Sequence, residues 1–250
     1  MMLNEQTEVK LAELKLSGML ESYREQMTNK EYQSMSFEDR FNLMVDLEHS
    51  RRKNNKLQRL IKSANFRNAS ASIEDIEYHP DRNLDKNLIL KLASGTYLEE
   101  HHNIILMGAS GNGKTYIANA FGIQACRQYY NVKYIRLPEL LDELTISKNQ
   151  ADGSFRKIIN RYKKVQLLII DEWLLTNLSL ENSTFLLEII ESRLKTASTI
   201  FCSQFHPEGW HEKLGNPQIA DAILDRIIHD SYQILVDGKV SMRERYGIRN

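Results

Sequence analysis

The chain has 250 residues, 26% of them charged, and its 33 Lys and Arg balance its 33 Asp and Glu. A uniformly basic nucleic-acid binder is therefore excluded, and any contact with phosphates must come from a local patch. No apolar run approaches the roughly 18 residues of a membrane span, the charged N-terminal segment lacks the apolar core of a secretory signal, and Cys126 and Cys202 stand far apart, as reduced core thiols of a cytoplasmic protein would.

Residues 3–29 read as a helix. Val9, Leu11, Leu14, Leu16, Met19, Leu20 and Tyr23 recur at three- and four-residue spacing, and Gly18 weakens or breaks the pattern. A second helix opens at Ser36, a good N-cap, with Glu38 and Asp39 in its first turn and Phe41, Met44, Val45 and Leu47 on its apolar side. Next come Arg51, Arg52, Lys53, Lys56, Arg59, Lys62 and Arg67 without an intervening acid, interleaved with Leu57, Leu60, Ile61 and Phe66. Such a basic amphipathic helix is either a solvated face or a surface that tracks a phosphate backbone. The small polar stretch Asn68–Ser72 sets a boundary between a helical N-terminal domain, 1–69, and a larger domain, 70–250.

In the second domain, Pro80 keeps its approach extended, and Leu84, Leu88, Leu90 and Leu92 mark a helix ending near Gly95. The apolar strand Ile104–Met107 then runs into Gly108-Ala109-Ser110-Gly111-Asn112-Gly113-Lys114-Thr115, and a helix begins at Tyr116. Strand, glycine loop and helix with the spacing G-x-x-x-x-G-K-T make a P-loop. Backbone N–H groups of the loop turn inward as an anion nest, and the helix N-terminus adds its positive end. Lys114 is expected to reach the β- and γ-phosphates of a nucleoside triphosphate, and the Thr115 hydroxyl to ligate Mg²⁺.

A strand over Val132–Leu137 follows, then a helix opened by Pro138, a polar loop at Ala151–Ser154 and a short basic helix, Phe155–Tyr162. The run Val165–Ile170 reads as a parallel strand buried on both faces, ending in Asp171-Glu172. This is a Walker B pattern. Asp171 is expected to share Mg²⁺ with Thr115, and Glu172 to act as general base toward water. After a helix through Phe185–Leu194, the strand Thr199–Gln204 presents Gln204 either to the attacking water and γ-phosphate or simply to a turn. A helix over Ile219–Ile228, a strand over Tyr232–Val236 and the basic stretch Ser241–Arg245 complete an alternating α/β chain.

Several stretches resemble one family along essentially the whole chain. They are the phosphate loop, Leu167-Leu168-Ile169-Ile170-Asp171-Glu172, the segment Ser203–His211 with Trp210-His211, the segment Ala220–His229 with Leu224-Asp225-Arg226, and N-terminally Leu14–Met19, Ser36–Arg40 and the basic helix. Together they look like an AAA+ ATPase of the IstB-like group, the ATP-binding helpers encoded beside the transposase in one class of bacterial insertion sequences. The resemblance implies an α/β P-loop NTPase of AAA+ type, with a five-stranded parallel sheet, a central P-loop strand and a small all-α N-terminal domain. It implies ATP and Mg²⁺ bound at the subunit interfaces of a homo-oligomer. Arg226 would match the finger reaching the neighbour's γ-phosphate, Arg243 the sensor within the subunit, and Gln204 the other sensor. Ile76 and Tyr78 would lie near adenine, with Tyr116 in the nucleotide set. The implied partners are duplex DNA, on Arg51, Arg52, Lys53, Lys56, Arg59 and Lys62, and a transposase that receives target DNA. The alternative is a replicative-helicase loader of the DnaC type, which shares the ATPase core. One departure concerns the loop after the carboxylates, where Trp173-Leu174-Leu175-Thr176 is more apolar than the family pattern.

Overall fold

The computed structural model describes residues 3–150 and 152–247, so Ala151 of the expected polar loop lies outside the described residues. The chain divides into two compact units between Arg59 and Leu60, earlier than the polar stretch at 68–72. Among the described residues no helix is long and apolar enough to cross a membrane.

The first unit holds α1 (Leu3–Glu13), α2 (Ser17–Thr28), a 3-10 turn (Lys30–Ser34) and most of α3 (Phe37–Ala64). The helix expected over 3–29 is thus two helices. The break falls at Leu14–Leu16, where Lys15 takes φ 57°, and Gly18 lies inside α2. Leu16 gives α2 no side-chain cap. Glu48 of α3 supplies it: its Oε2 accepts from Gly18 N at 2.7 Å and Met19 N at 3.4 Å. Two orphan first-turn donors are satisfied, and a negative charge sits at the positive end of the helix dipole. The same approach explains glycine at 18, because a Cβ there would lie 2.7 Å from Glu48 Cα. Burial pushes the Glu48 carboxyl up, but the Arg52 guanidinium and the two amides outweigh it and hold the group below its ordinary value. Ser36 Oγ accepts from Asp39 N at 3.1 Å, the N-cap expected for α3. The second helix and the basic helix of the sequence reading are one element of 28 residues.

The second unit runs α4 (Lys86–Ala93), α5 (Thr96–Glu99), β1 (Asn103–Met107), α6 (Lys114–Arg127), β2 (Val132–Arg136), α7 (Leu137–Asn149), α8 (Ser154–Lys164), β3 (Leu167–Trp173), α9 (Leu180–Arg193), β4 (Ser198–Ser203), a 3-10 turn (Pro207–Gly209), α10 (Trp210–Leu214), α11 (Pro217–Ile228), β5 (Ser231–Leu235) and α12 (Met242–Arg245). The strands form one five-stranded sheet in the order β2-β3-β4-β1-β5, every pair parallel. The middle strand is β4, and the P-loop strand β1 is its neighbour. Leu167, Leu168, Ile169 and Ile170 are fully buried, as a strand covered on both faces requires. One face, with Ile105, Ile170 and Phe201, packs against α7, α8, α9 and α11. The other carries Ile169 against α6, where a Cβ on Gly122 would lie 2.8 Å from Ile169 Cδ1. The short helices α5, α10 and α12 have four or five residues, too few to show a helical period in sequence.

Strand order positions the site. The P-loop follows β1, Asp171 and Glu172 end β3, and β4 lies between those strands. Gln204, one residue past β4, therefore falls between the glycine loop and the carboxylates at the C-terminal edge of the sheet, where open α/β sheets bind ligands.

Candidate nucleotide site

Gly108 opens the loop at φ 145°, and a Cβ there would lie 2.2 Å from the carbonyl oxygen of Val236. Only glycine fits between β1 and the segment leaving β5. Gly113, at φ 94°, is the residue before α6, so the loop leads directly into a helix N-terminus, the setting an anion site uses. Lys114 Nζ donates to the carbonyls of Gly108 (2.6 Å) and Ala109 (2.8 Å), which tightens the loop around its own lysine. Burial pushes the Lys114 ammonium below its ordinary value, with Asp171 opposing.

Thr115 and Asp171 meet as expected: Thr115 Oγ1 donates to Asp171 Oδ2 at 2.7 Å. The same oxygen accepts from Tyr134 Oη at 2.8 Å, and Oδ1 accepts from Glu172 N at 2.8 Å. Asp171 is buried, and these donors fix its carboxylate. Burial, with Asp171 beside it, pushes the Tyr134 phenol well above its ordinary value. The hard oxygens of Thr115 and Asp171 suit Mg²⁺, which takes few protein ligands and completes its shell with phosphate and water. Among the described residues no group of three His, Cys, Asp or Glu side chains could hold a metal ion by itself. Both cysteines are free and buried, and burial pushes the Cys126 thiol up to about 12.

The strand pairing of β3 slips between Ile170 and Trp173. Glu172 and Leu174 take φ 55° and 51° there. A bulge of this kind re-aims side chains beside functional sites. Trp173 turns inward and packs on Phe201 (ring centroids 4.7 Å apart) and Trp210 (5.7 Å). Trp173 and Leu174 are thus core residues, Leu175 stays exposed, and Glu172 is left at the cavity. Its Oε2 accepts from Arg136 Nε at 3.2 Å. Neither Tyr134 nor Arg136 was expected at the site. They lie two residues apart on β2, hence on one face, and Arg136 pairs in register with Asp171. That alternation was the one signal the sequence offered.

A cavity of ≈ 400 Å³ brings together Lys114, Thr115, Asp171, Glu172, Gln204 and Arg243. Arg67 borders it too, past the end of α3 and off the basic helix. A second cavity of ≈ 380 Å³ shares Gly113 and Met242 with the first and is walled by Ile76, Tyr116, Ile117 and Tyr246. Tyr78 does not line it; Lys86 Nζ stands 5.6 Å from the centre of its ring. Buried Arg82, also unforeseen, donates to Glu77 O (2.6 Å) and Asn112 O (2.8 Å), tying the extended linker to the P-loop. Met242 N donates to Gly111 O at 3.0 Å, which seats Arg243 over the loop.

Arg226 lies elsewhere. It donates to Ala222 O (2.7 Å) and Glu191 Oε1 (3.0 Å) and borders a crevice with Asn103 and Thr199, at the N-terminal ends of β1 and β4. On α3, Arg51 pairs with Glu21 of α2, and Arg52, itself exposed, pairs with Glu48 one turn back on the same helix. Lys53, Lys56, Arg59 and Lys62 are exposed.

The model of the IstB-like ATP binding protein family matches residues 9–249. A protein described as an insertion sequence ATP-binding protein, from Sinorhizobium fredii, is 36% identical over 236 residues, covering 94% of this chain and 95% of its own. Among solved structures, AMPPCP-bound DnaA from Aquifex aeolicus matches with a TM-score of 0.58 at 18% identity, over 72% of this chain and 54% of that one. The DnaC helicase loader matches with a TM-score of 0.54 at 17% identity, over 67% of this chain and 97% of the loader. At these identities both structures speak to the fold alone.

Proposed function

The chain belongs to the family of IstB-like ATP binding proteins, with the AAA+ P-loop fold, and on that footing we propose that it is an ATPase that assembles on duplex DNA in its ATP state and delivers target DNA to a partner transposase. The observation that carries the enzymatic half is one cavity holding Lys114, Thr115, Asp171 and Glu172. The oxygens of Thr115 and Asp171 would hold Mg²⁺, which would supply neutralising charge at the phosphates. The base of ATP suits the cavity of Ile76 and Tyr116, and its triphosphate the adjoining polar cavity across Gly113. Lys114 exchanges the carbonyls of Gly108 and Ala109 for phosphate oxygens. Gln204 and Arg243 contact the terminal phosphate or the water that attacks it. Glu172 exchanges Arg136 for that water and accepts its proton.

The position of Arg226 at the opposite edge of the strands supports a role in a neighbouring subunit's site, where a finger arginine acts in trans. Lys53, Lys56, Arg59 and Lys62 on α3 suit a phosphate backbone. The insertion-sequence description of a relative matched over nearly its full length favours transposition over helicase loading, for which only the fold speaks. The Glu172→Gln variant tests the reading: it should bind ATP and DNA as the wild type does, yet hydrolyse ATP ~10²- to 10⁴-fold more slowly. A wild-type chain that shows no ATP-dependent DNA binding at low salt refutes it.

A further inference from the structure

α3 closes on Ala64, which is fully buried, and Asn65 takes φ 60°, the left-handed conformation that ends helices. The next residue, Phe66, lies on α6 where Gly122 has no side chain. A Cβ at Gly122 would come within 2.4 Å of Phe66 Cε1 and 2.9 Å of its Cζ. Ring and glycine fit as seat and rider, and the fit fixes the backbone on either side of Phe66.

Arg67 follows directly. It is exposed, but it borders the cavity of Lys114, Asp171, Glu172 and Gln204 and has no part in the cavity of Ile76 and Tyr116. It therefore stands at the carboxylate end of the site, away from the base. It does not enter the ion pair that Glu172 makes with Arg136.

We propose that Arg67 is a third phosphate-binding cation contributed by the subunit itself, contacting the terminal phosphate of the nucleoside triphosphate beside Lys114 and Arg243. The proposal rests on the nucleotide reading of the cavity. A guanidinium suits the role because its planar fork pairs two oxygens at once and its charge is permanent. A nucleoside diphosphate lacks the group it would hold. Arg67 then distinguishes ATP from ADP.

The test measures the affinities of the full chain for a non-hydrolysable ATP analogue and for ADP, in the wild type, Arg67→Ala and Arg67→Lys. Loss of one charge-assisted contact weakens binding by about tenfold to a hundredfold. The expected result is that loss for the ATP analogue in Arg67→Ala, a smaller loss in Arg67→Lys, unchanged ADP affinity and an unchanged unfolding midpoint. Equal weakening of both nucleotides, or undiminished affinity for the ATP analogue, overturns the role of Arg67 while leaving the nucleotide reading intact. A wild-type chain that binds neither nucleotide overturns both.

Discussion

Replacing Gly122 with alanine sets two opposing effects against each other. Alanine is the better helix former by ~1 kcal/mol, and Gly122 sits in the interior of α6, so propensity alone predicts stabilisation. Space predicts the reverse. The new methyl would lie 2.4 and 2.9 Å from the Phe66 ring and 2.8 Å from Ile169 Cδ1. Ile169 is fully buried on β3 and cannot yield, so Phe66 must move. Overpacking of this kind costs about 1–3 kcal/mol, and lifting the partly buried Phe66 ring off its seat forfeits a fraction of the ~1.5–3 kcal/mol that a fully buried ring contributes. The steric cost exceeds the propensity gain, and a net loss of ~1–2 kcal/mol is expected. The chain's two tryptophans, Trp173 and Trp210, are both buried in the larger unit, so fluorescence-monitored urea unfolding reports on that unit. In a Phe66→Ala background the same substitution should cost less. A Gly122→Ala chain that is more stable by ~1 kcal/mol would refute the packing argument, and with it the anchored path of Arg67.

In the helical unit, Glu48→Gln should lower hydrogen-exchange protection at the start of α2 by the equivalent of ~1 kcal/mol, since it removes a charge from the dipole end. The folded Glu48 carboxyl is held below its ordinary value of 4.5. Its contribution is therefore complete above that pH and is lost as pH falls through the lowered value, so wild-type protection should fall in acid and that of Glu48→Gln much less. An equal acid response in both chains removes Glu48 from the cap. Arg82→Ala should weaken ATP and ADP alike, by about tenfold, because it frees the P-loop from its linker without touching the terminal phosphate; selective loss of ATP would contradict that role. Lys56→Ala with Arg59→Ala should lower the salt slope of duplex binding by about 2, and an unchanged slope would return the helix to a solvated face.

What could be read ahead of the structure was what lies contiguous in the chain. The loop Gly108–Thr115 and the pair Asp171-Glu172 carry their chemistry in adjacent residues, and Gln204 was visible because it ends a strand. The partners of these groups were not visible. Tyr134 and Arg136 reach Asp171 and Glu172 only because β2 pairs with β3, and Arg82 reaches Asn112 only because the linker returns to the loop. Arg67 looked like one more charge of a basic run until α3 ended three residues before it. Gly18 misled as a local signal: it answers to Glu48, 30 residues away, and the real break at Lys15 has no glycine. The apolar run after Glu172 acquires its reason from Trp210, a separate motif folded onto Trp173.

If ATP controls assembly on DNA, the mass of the particle formed on a duplex must depend on the nucleotide. Light scattering of the wild-type chain on a duplex, with and without ATP, should show a multi-subunit complex only when ATP is present, and Lys114→Ala should show none. A mass on DNA that is the same with and without ATP would contradict the account.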